Sequence, residues 1–220
     1  MLDHLLSLLA PHPCASCGEI GALLCDKCKY DIISTIKQLC LLCRALSDEG
    51  ICTKHGTFFT KSWIIGDRQG PLQHLVGGFK FQSLHAASDT LARLLHERLP
   101  ILPVNTVIIP IPTVQSHVRE RGYDHTLRLA KSFGRLRGLT THSLLARLTQ
   151  TTQHTVGREE RFHQAKQAYR AIRELDSSVP YLLIDDIVTT GATVQEAAHQ
   201  LHRAGARIIW VAAIARQPLD

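Results

Sequence analysis

The chain has 220 residues, 45% apolar and 20% charged, a balance that suits a globular protein with a sizeable core and excludes a disordered or collagenous one. Its net charge of +6 arises from 25 Lys and Arg against 19 Asp and Glu. No apolar run approaches the ~18–20 residues of a membrane-spanning helix. The apolar start, Met1 to Ala10, carries Asp3 and His4 where a secretion signal needs positive charge. The expected location is the cytoplasm.

Chemistry begins at Cys14. All seven cysteines fall between Cys14 and Cys52, as three Cys-x-x-Cys pairs (Cys14/Cys17, Cys25/Cys28, Cys40/Cys43) and one Cys-x-x-His pair (Cys52/His55). An odd count at that spacing does not suit a disulfide framework, whereas a thiolate knuckle around a metal ion requires it. Eight ligands make two tetrahedral zinc sites. A sequential pairing puts Cys14, Cys17, Cys25 and Cys28 on one ion and Cys40, Cys43, Cys52 and His55 on the other. Cross-bracing of the first and third knuckles is the alternative, but the short spacers of seven residues after Cys17 and eight after Cys43 favour the sequential form. Gly18 follows the second cysteine where a knuckle turn favours positive φ. Four protein ligands leave no open coordination position, so the expected zinc is structural.

Charge marks the organisation. Residues 1–62 are neutral overall, whereas residues 113–173 hold twelve basic and four acidic side chains, a block of net +8. A boundary after the last ligand predicts a cysteine-rich double zinc-ribbon domain over 1–62 and a second domain over 63–220. Strand and helix alternate in that second domain. The pattern predicts strands at Ser62–Gly66, Thr106–Ile111, Tyr181–Ile184 and Arg207–Ile214, and helices at His85–Leu99, Leu127–Leu136 and Val194–Arg203, the last stopped by Gly205. Continuous apolar strands between amphipathic helices imply an α/β fold, a parallel sheet covered on both faces.

The most informative segment runs from Tyr181 to Thr193. Asp185 and Asp186 stand at the carboxyl end of a buried strand, where open α/β sheets bind ligands. Thr189, Thr190, Gly191, Ala192 and Thr193 follow as a small-residue loop that opens a helix. Backbone N–H groups, hydroxyls and the helix dipole there suit a phosphate. The carboxylates repel phosphate but can accept hydrogen bonds from adjacent hydroxyls and help to organise Mg²⁺. Phosphate and diol side by side describe a ribose 5-phosphate.

That string resembles the phosphoribosyl pyrophosphate (PRPP) signature of type I phosphoribosyltransferases. The chain as a whole resembles one branch, the ComF family of competence proteins with its GntX-like members. The resemblance rests on the knuckles, Phe79-Lys80-Phe81, Ile109-Pro-Ile-Pro112, Arg119-Glu-Arg121-Gly122-Tyr123, Thr149 to Gln153 with Arg158 to Arg161, and the PRPP loop, in that order. It implies a phosphoribosyltransferase-like domain behind a zinc ribbon, with PRPP as ligand or substrate, Mg²⁺ as its partner ion and structural zinc. It also implies handling of incoming single-stranded DNA in natural transformation, beside other competence proteins near the inner face of the membrane.

A working transferase would displace pyrophosphate from C1 of PRPP with a nitrogen nucleophile. Mg²⁺, Lys80, Arg119 and Arg121 are then the candidate cations for the leaving group. Lys80 reads equally as an exposed lysine between two buried aromatics on a strand, and the arginines as a solvated face. Asp124-His125 stands where the family carries Asn-Gln, and Gln164 where it carries Asn. Thr189 replaces the Asp of purine-salvage relatives, which argues against purine specificity.

The +8 block offers a track for nucleic-acid phosphates. Of the twelve aromatic residues, Tyr123 and Tyr169 are the main ones inside it that could stack on bases. The alternative function is a metabolic phosphoribosyltransferase with a base or amine acceptor. A structural zinc adaptor with a vestigial pocket is a third.

Overall fold

The structure, a computed structural model, describes residues 12–81, 86–148 and 168–218. The side chain of Lys80 and the segments 149–153, 158–161 and Gln164 lie outside the described residues. The elements are α1 (Asp26–Ser34), β1 (Lys61–Asp67), α2 (Gly70–Phe81), α3 (Ala86–Arg98), β2 (Val107–Pro110), α4 (Gln115–Arg121), α5 (His125–Arg137), β3 (Thr140–Thr141), β4 (Leu145–Arg147), β5 (Tyr169–Ala171), β6 (Pro180–Val188), α6 (Ala192–Arg203) and β7 (Ile208–Arg216).

Five strands form a sheet in the order β1-β7-β6-β2-β3, with every pair parallel. Strands β4 and β5 pair antiparallel beside it. Period-two alternation splits the apolar strands between two cores. Leu182, Ile184, Ala212 and Ile214 face one core, shared with α2, α3 and α5, while Tyr181, Leu183, Val211 and Ala213 face the other, shared with α6 and the β4–β5 hairpin. Both faces are covered, as the continuous apolar strands require.

The cysteine-rich segment divides between those cores. Cys14, Leu24 and Cys28 belong to the first, and Leu41 and Phe59 to the second. Strand β1 starts at Lys61, inside the segment expected to be zinc ribbon, and runs in register with β7 from its first residue, Lys61 opposite Trp210.

Several elements differ from the sequence-based expectation. Phe79-Lys80-Phe81 ends helix α2 and is not a strand. Leu72, Leu75, Val76 and Phe79 recur at helical spacing and are all buried, which settles the conformation. Strand β6 continues past Ile184 through both aspartates to Val188, because its ladder with β7 persists, with Asp185 opposite Ala213. Helix α5 starts two residues early, at His125, because the Asp124 carboxylate accepts from Leu127 N at 3.0 Å and caps it. Helix α6 starts at Ala192, with Gly191 as its N-cap.

Candidate functional site

The metal-ligand residues gather in sequence order. Ligand atoms of Cys14, Cys17, Cys25 and Cys28 lie within 4.8 Å of one another, and so do those of Cys40, Cys43, Cys52 and His55. A tetrahedral zinc ion with Zn–S near ~2.3 Å sets sulfur–sulfur edges of about 3.8 Å. The sulfur pairs approach that figure, Cys17 to Cys25 at 3.8 Å and Cys43 to Cys52 at 3.6 Å, while His55 Nδ1 lies 3.7 Å from Cys40 Sγ and 3.1 Å from Cys52 Sγ.

The thiols are electrically uneven. Burial opposes ionisation of Cys14, but backbone N–H groups of Cys17, Cys25 and Ser16 outweigh it and bring the thiol to about 6. Cys40 is brought to about 6 against its burial by the backbone of Cys43, Cys52 and Leu42. Cys28, although Ser16 hydrogen-bonds to it, is pushed up to about 12 by Cys25, by burial and by the other two thiols. Both donor sets fit a cation at their centre. A bound zinc ion would lock each pair of knuckles into one shape.

The knuckle turns differ at one position. Gly18 has φ +78, as expected after Cys17, but Arg44 occupies the matching place after Cys43 with φ 63. A left-handed conformation costs a non-glycine residue roughly 1–2 kcal/mol. In this conformation the Arg44 guanidinium donates to the Gln217 carbonyl and lies 3.8 Å from Asp67, tying the second ribbon to the sheet.

The acidic pair lies at the carboxyl end of β6, and both residues are buried. Consecutive strand residues face opposite sides, so the two carboxylates have separate surroundings. Asp185 Oδ1 accepts from Asp186 N, and Asp186 Oδ1 from Ile187 N, each at 2.8 Å. A ligand held by both must straddle the strand end.

On one side, Asp186 Oδ2 lies 3.1 Å from His125 Nε2, with both side chains almost wholly buried. His125 Nδ1 lies 3.1 Å from Arg121 Nη1. A guanidinium only donates, so in the neutral ring Nδ1 accepts and the ring proton sits on Nε2, facing the carboxylate. Phe79 packs edge-on to the His125 ring, and the Tyr123 hydroxyl donates to the Phe79 carbonyl. The two motifs around Lys80 and Arg121 thus meet beside the acidic pair. Arg121 reaches Asp186 through His125. Arg119 is exposed on the last turn of α4.

On the other side, Arg147 Nη1 donates to the Tyr169 hydroxyl at 2.8 Å, and its guanidinium lies over the Tyr169 ring. Burial, with the Asp185 charge added, pushes the Tyr169 phenol up to about 12, opposed by Arg147 and by a hydrogen bond with Thr193. The β4–β5 hairpin therefore brings a cation and a hydroxyl to the start of α6.

Thr189, Thr190 and Gly191 form the turn into that helix, and Ala192 and Thr193 are its first residues. Gly191 has φ +80, and Thr190 Oγ1 accepts from Ala192 N at 3.3 Å. A helix start of this kind carries amides without intrahelical acceptors, the groups that an anion site uses.

His125 and Arg147 were missed as site residues in the sequence. For His125 one signal existed, the departure from Asn-Gln at Asp124-His125. Asp124 keeps the capping role that Asn would fill, and His125 supplies the contact to Asp186. Arg147 was legible only as one of twelve basic residues. The basic block is also less available than its formal charge. Arg137 donates to carbonyls of His96, Leu99 and Pro100, and Arg135 contacts Asp89 and Ser132. Tyr169 is buried and Tyr123 half-buried, so neither presents an open stacking face. Among the described residues, no helix is long and apolar enough to cross a membrane.

No protein-family model matches the chain. Competence protein F of Haemophilus influenzae is 30% identical over 178 residues, which cover 76% of this chain and 77% of that protein. DNA utilization protein YhgH of Escherichia coli (strain K12) is 28% identical over 227 residues, covering 95% of this chain and 99% of that protein. Among solved structures, glutamine phosphoribosylpyrophosphate (PRPP) amidotransferase from B. subtilis, complexed with ADP and GMP, superposes with a TM-score of 0.43 at 16% identity. That match covers 63% of this chain and 30% of the amidotransferase.

Proposed function

From the premise that this chain belongs to the ComF family of competence proteins, we propose that it handles incoming single-stranded DNA in natural transformation and carries a PRPP- and Mg²⁺-binding pocket. The observation that carries the pocket is the order of parts at the end of β6: two carboxylates, a small-residue turn, then a helix N-terminus. The 5-phosphate fits the turn of Thr189, Thr190, Gly191, Ala192 and Thr193. The ribose hydroxyls fit Asp185 and Asp186, which would also help to hold Mg²⁺. When bound, Mg²⁺ supplies positive charge to a departing pyrophosphate.

The chain's own residues do the positioning. His125 packs its Nε2 3.1 Å from Asp186 Oδ2, and Arg121 contacts the other ring nitrogen of His125. Arg121, with Lys80 and Arg119, supplies cations for the pyrophosphate, and Arg147 adds one beside Thr193. The single strand is assigned to exposed cations of the basic block, among them Lys131, Arg170 and Arg173.

The test is anisotropy of a labelled single strand from low to moderate salt, with and without Mg·PRPP. For single strands the salt slope is about −0.7 per phosphate contact, so four contacts give a slope near −3. A flat response would sink the DNA reading. Pyrophosphate release that needs a small amine or base and ignores DNA would replace it with a metabolic transferase.

A further inference from the structure

The second zinc ribbon touches the phosphate loop itself. A Cβ built at Gly191 would lie 2.5 Å from Leu42 Cδ2 and 3.0 Å from Leu41 Cδ2. Those leucines are the two residues between Cys40 and Cys43, so their placement depends on the knuckle that the metal shapes. Three further contacts bind this ribbon to the same elements. Leu41 is 2% exposed and shares its buried cluster with Val188 and Val194, which flank the loop. Arg216, at the end of β7, donates to the Cys40 carbonyl at 3.3 Å. Phe58 stacks on His199 of α6 at 4.6 Å between ring centroids and lies against His202 at 5.1 Å. Helix α6 is therefore held at its N-cap and along its outer turns by one metal-shaped segment.

Among the described residues, the first ribbon has no share in these contacts. Its described contacts are with the opposite core, through Cys14, Leu24 and Cys28, with Glu97 through Lys29, and with His74 through the Ala15 carbonyl.

We propose that the Cys40, Cys43, Cys52 and His55 cluster is a metal-dependent brace for the phosphate loop, with Leu42 as the positioning residue that transmits knuckle shape to Gly191. Metal occupancy at this cluster, and not at the first, then sets the affinity of the pocket. The regulatory claim rests on the pocket reading given above. The mechanical claim does not.

Native-state amide hydrogen exchange separates the two, because it needs no ligand. In the zinc-loaded full chain, Leu42→Ala should speed exchange at 190–194 about tenfold, the effect of losing one half-buried side chain. Zinc content and exchange in α3 and α5 should stay at wild-type values. Leu46→Ala, which removes an exposed side chain of the same ribbon, should leave the loop unchanged. Equal loop exchange in Leu42→Ala and wild type would overturn the brace, and a rise spread over the whole chain would do the same. A Mg·PRPP titration of the same proteins completes the test. Wild type binding with Leu42→Ala about tenfold weaker supports the regulatory claim, and equal affinities refute it. No binding by wild type removes the pocket reading, and the regulatory claim with it, while exchange still decides the brace.

Discussion

The two cysteine clusters have the same knuckle spacing and nearly the same ligands, yet they sit in different mechanical positions. The first is packed into the core of α2, α3 and α5. The second is packed against the turn that opens α6. Ligand spacing specifies how a metal is held. The intervening residues specify what the metal-held loop supports. Ala15-Ser16 fills the first knuckle and Leu41-Leu42 the second, and the larger, apolar pair reaches Gly191 in the turn that opens α6.

The comparison is broken most strongly by removing one ligand from each cluster. A structural zinc ion contributes about 10–16 kcal/mol to the segment that binds it, comparable to a whole domain's stability. Cys28→Ser and Cys43→Ser should each lose one of two zinc equivalents in metal analysis. Faster exchange should follow in α2 and α3 for the first variant and in the start of α6 for the second. If both disturb the same elements, the two ribbons are not separate supports.

His125→Ala comes next and sharpens the comparison from the pocket side. It leaves the buried Asp186 oxygen without its ring partner, at a cost of about 1–3 kcal/mol. Mg·PRPP affinity should fall roughly tenfold or more, while zinc content stays intact and His125→Gln recovers most of the loss. Unchanged affinity in His125→Ala would remove His125 from the site.

A smaller contrast compares exposed aromatics. Phe58→Ala loses the stack on His199 and should cost about 0.5–1.5 kcal/mol. Tyr30→Ala in the first ribbon removes a ring that is 71% exposed and should change stability by less than about 0.5 kcal/mol. Thermal unfolding distinguishes them, and equal shifts would count against the second ribbon's grip on α6.

The smallest effect appears only in alkali. Tyr169 keeps its proton to about 12 in the folded chain, against an unfolded value near ~10. Its contribution to stability is complete below about pH 10 and is lost as pH rises towards 12. Measured against its own neutral-pH stability, Tyr169→Phe should lack that part of the alkaline decline, read by denaturant unfolding at several pH values.

The sequence carried the parallel sheet and the ligand sets well, because buried strands and knuckles are local patterns. It carried the acidic pair and its loop for the same reason. Strand β6 was cut short because two carboxylates interrupt an apolar run, although ladder pairing with β7 does not depend on side-chain polarity. Helix α2 was legible in Leu72, Leu75, Val76 and Phe79, but the Phe79-Lys80-Phe81 triplet alone reads as a strand. The contacts of His125 with Asp186 and of Leu42 with Gly191 join residues far apart in the chain, and no local pattern encodes them. Arg44 shows the same limit: its left-handed turn is stabilised by partners at Asp67 and Gln217.

The central claim is a live pocket at the end of β6. The direct measurement is calorimetric titration of Mg·PRPP into the zinc-loaded chain beside an Asp185→Asn/Asp186→Asn variant. Saturable heat in the wild type that the variant lacks is the predicted result. Absence of heat with a folded, metal-loaded wild type, or equal binding by both proteins, would contradict it.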